Sequence, residues 1–176
     1  MRVAVTGTPG TGKTSATRLL EADGTGESED DHTVIHLNEL IESDEDLWTE
    51  RDDDRDSLVA DLEAIAERLG DWDGILESHL AHYFEADRVV VLRCAPETLE
   101  DRLTERGEPP AKARENAESE ALDVILSEAV ERFGREHVHE IDTTEAEPEA
   151  VAAEIEAVID GDREPSAGTV DFTGYL

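Results

Sequence analysis

An α/β fold, a parallel sheet with helices on both faces, is what this sequence predicts, and two observations carry that reading. Five short runs rich in apolar and β-branched residues are spread along 176 residues, and segments with apolar side chains at helical period lie between them. Strands that alternate with helices pair in parallel, because each helical crossover returns the chain in the same direction, and both faces of the sheet are then covered. The length suits one domain with a sizeable core, read here as residues 1–160, with 161–176 as an extended tail.

The first run, "RVAVT" at 2–6, leads through a glycine-rich turn into a helix carrying Ala16, Leu19 and Leu20. Residues 23–31, "DGTGESEDD", read as a solvated loop ahead of the second run, "TVIHL" at 33–37. "RDSLVADLEAIAERLG", 55–70, places Leu58, Leu62, Ile65 and Leu69 on one helical stripe, with Gly70 as the stop. The third and fourth runs are "GILES" at 74–78 and "RVVVLR" at 88–93. "ALDVILSEAVERFG", 121–134, repeats the helical stripe with Leu122, Ile125, Ala129, Val130 and Phe133 and stops at Gly134. The fifth run is "HVHEID" at 137–142, and Val151, Ile155, Val158 and Ile159 predict a last helix. The tail is punctuated by Gly and Pro, but its "VDFTGYL" end is more apolar than a free tail needs and is expected to dock on the domain. No internal repeat is visible.

The composition is extreme: 47 acidic residues against 15 Lys plus Arg, a formal charge of −32. An acidic disordered chain, a protein with a basic partner and a protein evolved for high salt all compete as explanations. Disorder fits poorly with 38% apolar residues at regular periods. In molar salt the Debye length falls to ~3 Å, which screens acidic self-repulsion that would destabilise a compact state in dilute buffer. Only two lysines, Lys13 and Lys112, remain beside 13 arginines, and the acidic residues run along the whole chain. These features favour a halophile's cytoplasmic protein, and they argue against unaided nucleic-acid binding, which rests on clustered Lys and Arg. A single cysteine, Cys94 in "VVVLRCAP", excludes an internal disulfide framework and is read as a core thiol. No run approaches 18 apolar residues, so a soluble, intracellular chain without a membrane partner is expected.

Gly7, Gly12, Lys13 and Thr14 satisfy G-x-x-x-x-G-K-[ST], directly after a predicted strand and at the opening of a predicted helix. Glycines let backbone N–H groups turn inward around phosphate oxygens, and the helix adds its positive end. Lys13 is placed to reach the outer phosphates and the Thr14 hydroxyl to ligate Mg²⁺. The only asparagines, Asn38 in "NELI" and Asn116 in "NAES", do not form the N-K-x-D segment of a GTPase. No acidic residue ends "RVVVLRCAP", where an ordinary ATPase would place its magnesium-positioning Asp, whereas Glu77 follows the third run in "GILESHLAH". Arg102, Arg106, Lys112 and Arg114 fall within 13 residues of an otherwise acidic chain. They read either as a helix with scattered salt bridges or as a mobile lid whose cations neutralise a transferring phosphoryl group, with "GEPP" as its punctuation.

On "TGTPGTGKTS", "IHLNELI", "DRDSLVADL", "ESHLAH" and "VVLRCAPETLEDRLTERGEPPAKARENAESEALDVI", most of residues 1–133, the chain resembles the adenylate kinase family of the nuclear, sixth-isoenzyme type and its archaeal counterparts, which are also small-subunit ribosome assembly factors. The resemblance implies a P-loop nucleoside monophosphate kinase fold with a five-stranded parallel sheet, a monophosphate-binding segment at about 30–55 and a short lid at about 105–115. It implies that Gly10, Gly12, Lys13, Thr14 and Ser15 hold ATP, that Arg106 is the lid arginine, and that Glu77 and His79 form the family's acidic-x-His motif, associated with magnesium or water positioning and with ATPase activity. Departures accompany it. Glu77 stands where Asp is usual, which suggests that it holds magnesium through water or at a different reach; Glu108 replaces a lid aromatic; and no arginine stands in "HLNELIES". Arg51 and Arg55 are the substitutes for the monophosphate site, unless "ERDDDRD" is a paired, solvated helix start.

His79 has a second reading, a hydrogen-bonded structural residue at a strand end, and His82 and Tyr83 are read as packing residues. His32, His36, His137 and His139 form no metal-ligand grouping. The expected activity is transfer of the terminal phosphate of MgATP to AMP or another nucleoside monophosphate. The alternatives are an ATP-switched assembly factor that hydrolyses ATP and binds a basic ribosomal protein of the small-subunit platform, or a kinase for another small metabolite.

Overall fold

The computed structural model describes residues 1–21, 32–54 and 57–176. The whole of the expected loop at 23–31, and Arg55, therefore lie outside the described residues. The elements in chain order are β1 (Arg2–Thr6), α1 (Lys13–Arg18), β2 (Val34–His36), α2 (Leu37–Ser43), β3 (Trp48–Asp52), β4 (Ser57–Ala60), α3 (Leu62–Leu69), β5 (Gly74–Glu77), β6 (Arg88–Arg93), α4 (Pro96–Glu105), α5 (Pro110–Ala121), α6 (Val124–Phe133), β7 (Val138–Asp142) and α7 (Pro148–Asp160). Five strands form one sheet in the order β2-β5-β1-β6-β7, every pair parallel. This is the predicted α/β architecture, and it is consistent with a P-loop nucleoside monophosphate kinase fold.

Period-2 alternation along the strands divides the core. Val3, Val5, Ile75, Val90, Leu92 and Ile141 face one layer, where Ala16 and Leu20 of the α1 region and Val151, Ile155 and Val158 of α7 cover them. Ala4, Leu76, Val89, Val91 and Val138 face the other, beneath Leu37 and Ile41 of α2, Ile65 of α3 and Leu126 and Ala129 of α6. The central β1 has neighbours on both sides, so its C-terminal end opens where the chain passes from β5 on one side to β6 on the other. Crevices outside the carboxyl ends of parallel strands at such a reversal are where ligands bind.

Two helical expectations are corrected. Residues 57–60, including Leu58, belong not to a helix but to β4, which pairs antiparallel with β3 in a small separate hairpin. The helix starts after Asp61, whose carboxylate accepts the N–H of Ala64 as an N-cap at 3.0 Å. The stripe expected over 121–134 is broken between α5 and α6: Leu122 is 59% exposed, and Asp123 takes a left-handed turn at φ 54°. An Asp tolerates that conformation at a cost, and here its carboxylate pairs with Arg93.

Arg93, at the end of β6, is 1% exposed and meets Glu120, Asp123 and Glu140. Glu140 in turn accepts the backbone N–H of Thr169 at 2.7 Å, while the Phe172 ring lies 5.4 Å from the Arg93 guanidinium and Tyr175 donates to Glu100 at 2.9 Å. Residues 161–176 are thus laid over β7 and α4, chiefly by polar contacts, with Ala167 half-buried against the core. Among the described residues no helix is long and apolar enough to cross a membrane.

Candidate active site

Residues 7–12 wrap between β1 and α1. Gly7, Gly10 and Gly12 have φ of 147°, 92° and 89°, a region that side-chain-bearing residues rarely adopt. A Cβ on Gly7 would stand 2.6 Å from the Leu92 carbonyl oxygen, whereas one on Gly12 would meet nothing within 4 Å, so the loop is tight against the sheet and open above it. The loop is braced from beneath. Arg102 donates to the Thr143 carbonyl at 2.8 Å and to Gly10 O at 3.4 Å, and Thr143 Oγ1 donates to Thr11 O at 2.9 Å. Thr8 Oγ1 donates to Glu120 Oε2 at 2.6 Å.

Lys13, first residue of α1, folds back so that Nζ donates to Gly7 O at 2.8 Å and Thr8 O at 3.1 Å. It is buried, and burial lowers its pKa from the ordinary 10.5 to about 8, against the opposing pull of Glu77 and Glu120. A desolvated ammonium at the positive end of a helix whose first turn has no side-chain cap is a strong anion site. The Thr14 hydroxyl donates to Glu77 Oε1 at 3.3 Å. Glu77, buried at the end of β5, has its other oxygen 2.8 Å from His36 Nδ1. The next residue is fastened too: Ser78 Oγ donates to Asn38 Oδ1 at 2.7 Å.

A hydroxyl and a carboxylate side by side at the mouth of a phosphate loop are the hard oxygen donors that Mg²⁺ takes, few in number because Mg²⁺ keeps waters and phosphate oxygens as its remaining ligands. The residues present fit that ion. No cluster of three or more His, Cys, Asp and Glu side chains that could hold a metal on their own occurs among the described residues.

The structure brings Gly10, Gly12, Lys13, Thr14 and Glu77 together. Ser15 is exposed on α1. His79 lies two residues beyond β5; burial pushes its pKa from 6.5 down to about 4, with smaller contributions from Lys13, His82 and Lys112, so it is neutral at physiological pH. Arg106 caps α4 and is exposed, its charge felt at Lys13. Lys112 pairs with Glu108 at 3.1 Å and Arg114 with Glu118 at 3.1 Å, both one turn apart on or beside α5. Arg102 is a strut beneath the loop rather than a cation at a lid tip, because α4 aims it at the carbonyls of residues 143 and 144. Arg51 is exposed on β3 and lies 3.8 Å from Asp53 of the same hairpin. Sequence reasoning missed Glu120, Arg93 and the contact of His36 with Glu77. The one available signal was an arginine ending an otherwise apolar strand.

The family model described as "AAA domain" matches residues 3–123. A protein of Natronomonas pharaonis is 63% identical over 177 residues, covering all of both chains, and one of Halobacterium salinarum is 56% identical over 178, again covering all of both. A third, from Methanosarcina acetivorans, is 45% identical over 91% of this chain and 87% of its own. All three bear the name "Putative adenylate kinase". The first two organisms are halophiles, in keeping with the charge of the sequence. Likeness of this depth along the whole chain settles its kinship: the protein belongs to the archaeal adenylate kinase family of P-loop proteins.

Proposed function

We propose that the protein transfers the terminal phosphoryl group of MgATP to AMP, and that the triphosphate is held beside Lys13 and the hydrogen-bonded pair Thr14 and Glu77, at the end of β5 and the start of α1. The observation that carries this reading is the buried Lys13 ammonium, poised on two loop carbonyls that phosphate oxygens can replace. The loop amides and Lys13 bind and align the outer phosphates. Thr14 and Glu77 would hold Mg²⁺, which when bound neutralises charge across the transferring group. An oxygen of the acceptor phosphate forms the new bond to the γ-phosphorus as the bond to the β,γ-bridging oxygen breaks, giving two ADP. The acceptor is already an anion, so no strong base is required, and catalysis reduces to alignment and charge neutralisation.

In this reading the turn between α4 and α5, about 105–115, is the lid that brings Arg106 over the phosphates, with Lys112 and Arg114 on its return arm. The segment of about 30–55 is the acceptor side, with Arg51 as a candidate contact. A coupled assay of ADP formation in molar KCl tests the assignment. Lys13→Met should lower turnover at least about a hundredfold; near-normal turnover would overturn it.

His79 supports a second activity at the same site. A neutral, largely buried imidazole close enough to Lys13 to feel its charge can orient a water in the acceptor position, which turns phosphoryl transfer into ATP hydrolysis. The family resemblance extends this to an assembly role on a basic small-subunit ribosomal protein, for which an acidic surface is suited. Pull-down in high salt with ATP-bound protein checks that role, and absence of any ribosomal protein would count against it.

A further inference from the structure

Glu77 carries a carboxylate on three rotatable bonds, and a side chain of that kind loses up to ~2 kcal/mol of rotamer entropy when it is fixed. Thr14 at 3.3 Å is a long contact and cannot fix it alone. What does is the neighbouring strand. In the parallel register of β2 with β5, His36 stands opposite Glu77, and both residues end their strands. Their side chains are 9% and 5% exposed, and His36 Nδ1 lies 2.8 Å from Glu77 Oε2. A carboxylate has no proton to give, so the imidazole donates. The other ring nitrogen is buried and has no hydrogen-bond partner among the described residues, its closest acidic oxygen being Glu21 Oε2 at 3.5 Å. Among the described residues the one directional bond His36 makes through its ring is therefore the bond to Glu77. Two residues after His36 and one after Glu77, Asn38 and Ser78 repeat the link between the same two segments.

We propose that His36 is a positioning residue: by donating from Nδ1 to Glu77 Oε2 it turns Oε1 toward Thr14 and so sets the carboxylate for the divalent ion that accompanies the nucleotide. The inference rests on the phosphoryl-transfer reading above. Hydrogen-bond partners that orient a metal-binding side chain contribute about 10–100-fold in metal affinity. A residue that merely braced the sheet edge would change stability and leave the affinity for the ion alone.

The test is an EPR titration of Mn²⁺ into ADP-saturated full-length protein in molar KCl, with thermal melts alongside. His36→Leu should weaken Mn²⁺ about 10–100-fold while the affinity for ADP in EDTA stays as in the wild type. His36→Asn, whose side-chain N–H₂ occupies the place of Nδ1, should restore binding to within a few-fold. If His36→Leu does not fold, His36→Gln, whose donor falls one bond further out, takes its place and should bind Mn²⁺ more weakly than His36→Asn. Wild-type Mn²⁺ binding in the Leu variant, or equal weakening in Leu and Asn, overturns the positioning role alone. Failure of the wild-type protein to bind Mn²⁺ more tightly than ADP does by itself overturns both this role and the phosphoryl-transfer reading.

Discussion

Lys13 offers a quantitative prediction about protons. Burial lowers its pKa to about 8 in the nucleotide-free protein. Surrounding phosphate charge favours the ammonium, so in the complex it stays protonated well above that pH. Well below pH 8 the lysine is charged before and after binding, and almost no proton moves. Above it, the empty site holds a neutral amine that must be recharged as phosphates arrive. Binding of metal-free ATP should therefore take up about one-tenth of a proton at pH 7, about half at pH 8 and about nine-tenths at pH 9, and affinity should fall about tenfold per unit above pH 8. ATP itself is fully deprotonated at pH 9, so uptake there belongs to the protein. Isothermal titration calorimetry in two buffers of different ionisation enthalpy, with EDTA and molar KCl, reads this number directly. No uptake at pH 9, with affinity independent of pH from 8 to 10, would refute the claim that a desolvated lysine waits in the empty loop.

Three further predictions concern the scaffold. Arg93→Met leaves the Glu120 and Glu140 side chains, 4% and 0% exposed, without their cation, and should cost about 3–5 kcal/mol in denaturant unfolding; a loss below about 1 kcal/mol would mean the network is dispensable. Removal of residues 165–176 takes the Thr169 and Val170 N–H donors from Glu140 and the Tyr175 hydroxyl from Glu100, and should destabilise by about 1–3 kcal/mol; an unchanged melting temperature would show that the tail contacts contribute nothing. Burial pushes the Cys94 thiol from 9.0 to about 11, so at pH 8 its thiolate fraction is about a hundredfold below that of an exposed cysteine. Alkylation by iodoacetamide should slow by at least that factor in the folded protein, and labelling at the unfolded rate would contradict its burial.

How far the sequence could be read depended on whether the cause was local. The strands of the main sheet were legible because β-branched runs bounded by turn residues announce buried parallel strands, and the phosphate loop because its glycines, Lys13 and Thr14 act within eight residues of one another. The hairpin of β3 and β4 was not, since Leu58 happens to continue the helical stripe of Leu62, Ile65 and Leu69. The true helix start, capped by Asp61, lies inside that apparent period. The break at Leu122 and Asp123 was hidden for another reason: the stripe runs through it without interruption, and only Arg93, 30 residues earlier, explains why Asp123 turns. His36 could not be linked to Glu77 because their contact follows from strand register, at a separation of 41 positions. The same separation hid the contact of half-buried Arg102 with the carbonyls beneath the loop, which left four cations looking alike when only Arg106, Lys112 and Arg114 border the α4–α5 turn.

The most direct test of phosphoryl transfer to a monophosphate is a ³¹P NMR time course of MgATP in molar KCl with and without AMP. The account predicts ADP growing at the expense of ATP and AMP together, two for each ATP consumed, with little inorganic phosphate and slow turnover when AMP is left out. ATP loss at one rate in both samples, matched by inorganic phosphate and with AMP untouched, would contradict it.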